Sequence, residues 1–190
     1  MEIIKIGVFV GSLRKKSFSK MIAKSLVELI PPSFQMQEVD LSNLETYNQD
    51  FDDEGIPPKS WMDFRECVQK FDAVLFVTPE YNRSVPALLK NALDIGSRPY
   101  GKSVWNGKPG AIVSVSPGVL GGFGANHHLR QSLVFLNIPT MQQPEAYIGN
   151  VSTLFDDSGK LNNEGTKKFL QDIMNSFASW ITLLTENRKN

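Results

Sequence analysis

Hydroxyl and cationic side chains crowd one short stretch, Gly11-Ser12-Leu13-Arg14-Lys15-Lys16-Ser17-Phe18-Ser19. It lies between an apolar run and a helical pattern, so it falls where a helix begins. Free backbone N–H groups and the positive end of a helix dipole favour an anion there, and Ser12, Arg14, Ser17 and Ser19 add charge-assisted hydrogen bonds. The spacing matches neither the Gly-x-x-x-x-Gly-Lys-Ser/Thr loop of triphosphate sites nor the Gly-x-Gly-x-x-Gly of dinucleotide folds, so a monophosphate is expected. The competing reading is structural: Ser17 or Ser19 is an N-cap and the cations form a solvated face.

Two further clusters carry chemistry. In Thr78-Pro79-Glu80-Tyr81-Asn82-Arg83-Ser84-Val85-Pro86, two prolines stiffen the backbone around Glu80, Tyr81 and Asn82, and rigid backbone donors suit a planar ring. No second carboxylate stands beside Glu80, which argues against a glycosidase pair and for a role in holding the loop. Tyr81 either stacks on an aromatic ligand or packs. The third cluster runs from Ser116 through Gly118 to Gly121, Gly122 and Gly124, and its glycines permit close backbone approach to a ring edge. Its Gly-x-x-Gly-Gly fragment follows the fourth strand instead of the first, against a dinucleotide fingerprint. His127 and His128 have no Ser or Cys nucleophile in a catalytic pattern near them, so surface or interface roles are expected. Cys67, inside a helical apolar pattern, reads as a small packed residue.

The elements that position these clusters alternate. Strand patterns cover Ile3 to Val10, Phe34 to Leu41, Ala73 to Val77, Gly110 to Ser116 and Met141 to Ile148, the last broken by Pro144. Helical spacing joins Met21, Ile22, Ser25, Leu26 and Leu29 up to Pro31-Pro32, then Trp61, Phe64, Val68 and Phe71, then Val85 to Ile95, then Leu129 to Leu136, and finally Phe169 to Leu184. A long polar stretch from Ser42 to Lys59 is expected to cover something. Five strands alternating with five helices imply an α/β doubly wound five-stranded parallel sheet with helices on both faces. Ligands in such sheets sit beyond the carboxyl ends of strands where the winding reverses, which is where the three loops fall.

With 190 residues, one domain spanning residues 1–190 is the default, since a domain takes roughly 150 residues. Apolar residues make up 41% and charged residues 21%, enough to bury a core and too little charge for a disordered chain. Twenty basic residues balance twenty acidic ones, so no net field favours nucleic acid or an anionic membrane. One cysteine forms no intrachain disulfide, and two adjacent histidines make a poor metal cage. The first ten residues lack the pattern of a signal peptide, and no stretch reaches the roughly 18 to 20 apolar residues that cross a bilayer. The expectations are no metal, no membrane insertion and a cytoplasmic protein.

Taken in order, Gly11-Ser12-Leu13-Arg14 with Ser17, Pro79-Glu80-Tyr81-Asn82 with Ser84, Pro86 and Leu89-Lys90-Asn91-Ala92-Leu93-Asp94, and Gly121-Gly122 with His128-Leu129-Arg130-Gln131 resemble the NADPH-dependent FMN reductase family, close to its quinone and chromate reductase branch. The resemblance spans nearly the whole chain and implies a flavodoxin-like fold. By it, Ser12, Arg14, Ser17 and Ser19 hold the FMN phosphate, Pro79, Glu80, Tyr81 and Asn82 contact the isoalloxazine largely through backbone, and Ser116 and Gly118 close its other side. Ser19 stands where the family usually has Asn, Arg83 where an aromatic or small residue is common, Ala87 where Gly is usual, and Gly124 near a common Arg. The implied activity passes a hydride from NADPH or NADH through bound FMN to a quinone or similar small-molecule acceptor, with no catalytic side chain and in ping-pong order. Arg83 or Lys102 either meets the NADPH 2′-phosphate or is an ordinary solvated cation. The alternative is a flavodoxin-type FMN electron carrier without a nicotinamide site, against which zero net charge speaks, since such carriers are usually acidic. The resemblance also implies a homodimer or homotetramer, with His127, His128 and Arg130 as interface residues.

Overall fold

Every side chain from Ala73 to Val77 is buried, and a run apolar on both faces is stable only as a central strand covered from both sides. The computed structural model, which describes residues 3–186, places it there. Five parallel strands, β1 (Ile4–Val10), β2 (Phe34–Glu38), β3 (Ala73–Pro79), β4 (Gly110–Val115) and β5 (Ala146–Ile148), lie in the order β2-β1-β3-β4-β5. Among the described residues the connections carry α1 (Phe18–Leu29), α2 (Gln49–Asp53), α3 (Lys59–Gln69), α4 (Ala87–Gly96), α5 (Phe123–Phe135) and α6 (Glu164–Glu186). This is the doubly wound, flavodoxin-like arrangement expected, and its winding reverses between β1 and β3. Met1, Glu2 and residues 187–190, which the one-domain expectation includes, lie outside the described residues.

The period-two geometry of the strands divides the core. Ile6, Val8, Val10, Leu75, Val77 and Val113 face α1 and α6, where Ile22, Leu26, Leu170 and Phe177 meet them. Phe9, Val74, Phe76 and Ile112 face α3, α4 and α5, against Trp61, Phe64, Leu89, Leu93, Leu129 and Leu133. The second face is aromatic: the Phe9 ring lies 5.4 Å from Phe76 and 5.2 Å from Trp105, contacts contributing about 0.5–1.5 kcal/mol each beyond area burial. A slip of one residue in β1 or β3 would exchange the two faces and take Phe9 or Phe76 out of the aromatic layer, so side-chain size fixes the register.

The polar stretch after β2 holds a short helix, α2, that the apolar spacing does not reveal, because Phe51 is its single apolar residue. Its flanking segment covers the aromatic layer. Tyr47 lies 5.2 Å and Phe51 5.7 Å from the Trp61 ring. The Glu45 carbonyl accepts from Trp61 Nε1 at 3.1 Å and Asn91 Nδ2 at 3.0 Å, and Tyr47 N–H donates to Asn91 Oδ1 at 2.8 Å. The last strand is shorter than the Met141 to Ile148 pattern. Pro144, in a cis peptide bond with Gln143, has no N–H for the ladder, so pairing resumes only at Ala146. The helix expected from Leu129 begins six residues earlier, at Phe123.

Candidate functional site

The loops after β1, β3 and β4 meet beyond the carboxyl ends of three adjacent strands and enclose a cleft of about 90 Å³. Its walls contain Ser12, Arg14, Ser17, Ser19, Pro79, Glu80, Tyr81 and Ser116, together with Phe18, Val115 and Pro117. Eight of the ten residues singled out in the sequence therefore share one cavity. Asn82 and Gly118 adjoin it in the chain without lining it. Phe18, Val115 and Pro117 carry no polar signal and were missed, although each neighbours a residue that was not.

The first wall is built by a helix start. Ser17 is the N-cap of α1, its Oγ accepting from Lys20 N–H at 3.3 Å, so the capping role is real. The hydroxyl proton of Ser17 remains available. Ser12 Oγ accepts from Arg14 N–H at 3.4 Å, folding the loop back on itself. Ser12, Ser17 and Ser19 are buried, and the Ser19 hydroxyl has no partner among the described residues. The Arg14 side chain has no ion pair among them either.

The second wall is a tight turn. Tyr81 N–H donates to the Ser84 carbonyl at 3.1 Å and Ser84 N–H to the Tyr81 carbonyl at 3.0 Å. Asn82 and Arg83 between them both have positive φ, 51° and 63°, which is the geometry of a type I′ turn. Tyr81 is half exposed and lines the cleft instead of joining the core. Glu80 Oε2 accepts from the backbone N–H of Ala125 at 3.0 Å, in the first turn of α5, and Arg83 Nη1 stands 3.7 Å from Glu80 Oε1. Its expected task of holding the loop has a concrete form: it reaches across to the next one.

The third wall is clasped from beneath by the exit of β5, a support that no sequence pattern announced. Ser116 N–H donates to the Ile148 carbonyl at 2.9 Å, and Asn150 N–H to the Gly118 carbonyl at 3.2 Å. Gly121 and Gly122 have φ of +58° and +78°, and a Cβ on Gly121 would come within 2.5 Å of the Tyr147 carbonyl carbon. Ser116 Oγ accepts from Gly118 N–H at 3.0 Å. Beside this wall, His127 Nε2 lies 3.0 Å from the Tyr147 hydroxyl and His128 Nδ1 3.0 Å from Ser84 Oγ, both rings exposed. Burial, then the hydrogen bond and charge of Glu145, push the Tyr147 phenol up to about 12. Arg130 is committed within the chain, to Asn126 Oδ1 and the Met141 carbonyl, both at 3.0 Å.

Elsewhere the chemistry is quiet. Cys67 is half-buried and burial raises its thiol above the usual range, opposite to what a nucleophile needs. Among the described residues no group of three His, Cys, Asp or Glu side chains is placed to hold a metal ion, and no helix is long and apolar enough to cross a membrane.

Comparison with known proteins finds relatives along nearly the whole chain. A quinone reductase of Pseudomonas putida is 57% identical over 182 residues, covering 96% of this chain and 97% of that one. A 2-hydroxy-1,4-benzoquinone reductase of a Burkholderia species is 45% identical, covering 94% and 96%. Among solved structures, FerB, a flavoenzyme NAD(P)H:(acceptor) oxidoreductase from Paracoccus denitrificans, superposes with a TM-score of 0.88 at 37% identity, covering 95% of this chain and 98% of that one. The family described as NADPH-dependent FMN reductase matches residues 4–153, a span that contains all three walls of the cleft, and the chain is a member of that family of oxidoreductases.

Proposed function

We propose that this protein is an FMN-dependent NAD(P)H oxidoreductase that reduces quinones or similar small-molecule acceptors. The observation that carries the reading is the convergence of Ser12, Arg14, Ser17 and Ser19 with the rigid Pro79–Tyr81 segment in one cleft, in a chain 57% identical to a quinone reductase.

The residues present fit the cofactor's phosphate. Three buried hydroxyls and a guanidinium, with the Ser19 hydroxyl unpartnered and Arg14 unpaired among the described residues, join the start of α1 in a donor-rich pocket of about 90 Å³, suited to a doubly charged monoester and too small for the whole cofactor. In this reading Ser12, Arg14, Ser17 and Ser19 bind the phosphate. Pro79, Glu80, Tyr81 and Asn82 border one edge of the ring, and Ser116 and Gly118 the other. Bound FMN supplies the redox chemistry, taking up two electrons from NAD(P)H and yielding them to the acceptor. The chain's own task is to bind and orient: the half-exposed Tyr81 ring offers an apolar face to a planar substrate, and the open cleft admits reductant and acceptor in turn. Initial-rate lines are therefore expected to run parallel.

The same reading takes residues 1–190 as one domain, because both cores pack on a single sheet. It takes the protein as a homodimer or homotetramer, because Leu13, Tyr81, Val119 and Leu120 on the three loops and Phe123 at the start of α5 expose apolar side chains that a second subunit would cover. A cytoplasmic location goes with a nicotinamide reductant and a lone, unpaired cysteine.

The deciding experiment is anaerobic addition of NADPH to the FMN-loaded protein while the flavin absorbance is followed. Rapid bleaching, reversed by a quinone, is the expected result. Bound flavin that NADPH leaves coloured would instead make the protein an electron carrier, and failure to take up FMN would remove the phosphate site.

A further inference from the structure

Among the described residues, three contacts join the loop after β3 to α5, and Glu80, a charged group largely withdrawn from water, takes part in two of them. Glu80, whose side chain is 14% exposed, accepts from Ala125 N–H at 3.0 Å. Ser84 Oγ meets His128 Nδ1 at 3.0 Å. Gly124 lies so close to the loop that a Cβ there would stand 2.8 Å from the Arg83 carbonyl oxygen and 2.9 Å from Glu80 Oε2.

The need for Glu80 is local to α5. That helix has Gly122 as its N-cap, which offers no side chain to the orphan N–H groups. Phe123 and Asn126 N–H find the carbonyls of Leu120 and Gly122, and the Ala125 N–H is satisfied from outside, by a carboxylate at the positive end of the helix. A cap normally comes from the residue preceding its helix. Here it comes from a residue 45 positions earlier that also stands in the cleft wall. The loop that precedes α5 is the cleft's third wall, so the cap ties the second wall to the third.

From this we propose that Glu80 is a positioning residue whose carboxylate, by capping α5 from the neighbouring loop, sets the gap between the loops after β3 and β4. Resting on the flavin reading above, the gap is the slot for the ring's edge, and Gly124 is the residue that lets the two walls close. The carboxylate acts through Ala125 and needs no contact with the reacting atoms. What the slot requires is an acceptor oxygen at this place, and a neutral amide supplies one.

The test compares Glu80→Ala with Glu80→Gln. In the FMN-free protein, amide exchange at Ala125 is expected to accelerate about tenfold or more in Glu80→Ala and to stay within about threefold of the parent in Glu80→Gln. In flavin titrations followed by fluorescence quenching, the FMN Kd is expected to rise about tenfold in Glu80→Ala and to be rescued within about threefold by Glu80→Gln. Unchanged Ala125 exchange in Glu80→Ala overturns the cap. Faster exchange with an unchanged FMN Kd reduces Glu80 to a stabiliser of α5 and overturns its positioning role, as does a Glu80→Gln variant that binds FMN no better than Glu80→Ala. If the parent protein takes up no FMN, the flavin reading falls and the slot assignment with it, while the exchange measurement still decides whether the cap exists.

Discussion

Arg65 and Asp52 form a bidentate pair: Nη1 and Nη2 of the arginine donate to Oδ1 and Oδ2 of the aspartate at 2.8 and 2.7 Å. Both side chains are nearly withdrawn from water, at 11% and 2% exposure. The remaining Nε donates to the Ile95 carbonyl at 2.9 Å, near the C-terminus of α4. One guanidinium thus fastens α2 to α3 and α4, where the carbonyl end of a helix favours a cation. Removing one partner leaves the other charged and buried, so Asp52→Asn is expected to destabilise the fold by about 3 kcal/mol. Urea unfolding reads the loss directly.

Arg14 is the residue whose loss tests the phosphate end of the proposed flavin site apart from its ring end. Its replacement by alanine is expected to weaken FMN about 10- to 100-fold, the loss of a charge-assisted contact. Riboflavin, which has the ring without the phosphate, should bind both proteins equally. Fluorescence titration with the two flavins checks this, and equal weakening of both would show that Arg14 shapes the cleft instead of reading the anion.

Tyr147 gives the fold an alkaline limit. Its phenol moves from 10.0 to about 12, so folding favours the neutral hydroxyl. The associated stability is complete below the unfolded value and is lost as pH rises through the folded one. Tyr147→Phe is expected to abolish that part of the decline between about pH 10 and about pH 12. Urea midpoints of the two proteins across this range, with tyrosinate absorbance as the titration signal, provide the measurement.

Gly121 is held by two demands at once, a φ of +58° and a neighbour that leaves no space for a Cβ. Gly121→Ala is expected to cost about 2–4 kcal/mol and to loosen the loop after β4. Thermal unfolding measures the first effect. A rise in FMN Kd larger than that of a control substitution far from the cleft measures the second.

The residues that betray the fold and the site in the sequence are those whose chemistry is local. The buried runs of β1, β3 and β4 are apolar on both faces, so their strands and their central place are legible. Ser12, Ser17 and Arg14 advertise a helix start, and the paired prolines around Glu80 a stiff loop. What stayed hidden depends on distant partners. Nothing in Gln49–Asp53 distinguishes a helix from a polar loop until Arg65 is seen to hold Asp52. Nothing in Glu80 points to Ala125, because a backbone N–H has no sequence signature. Glycines, which ordinarily argue against helix, obscure the early start of α5; Gly124 stands in its first turn where the neighbouring loop leaves no space for a larger residue.

The strand order β2-β1-β3-β4-β5 has a consequence for biosynthesis. Ser12 emerges from the ribosome about a hundred residues before Ser116, an interval of roughly 5 to 20 seconds at ordinary elongation rates. During that time α1 and its hydroxyls have no facing wall, since β3 and then β4 must dock beside β1 before the cleft exists. The cleft therefore has all three of its walls only after β4 has docked beside β3.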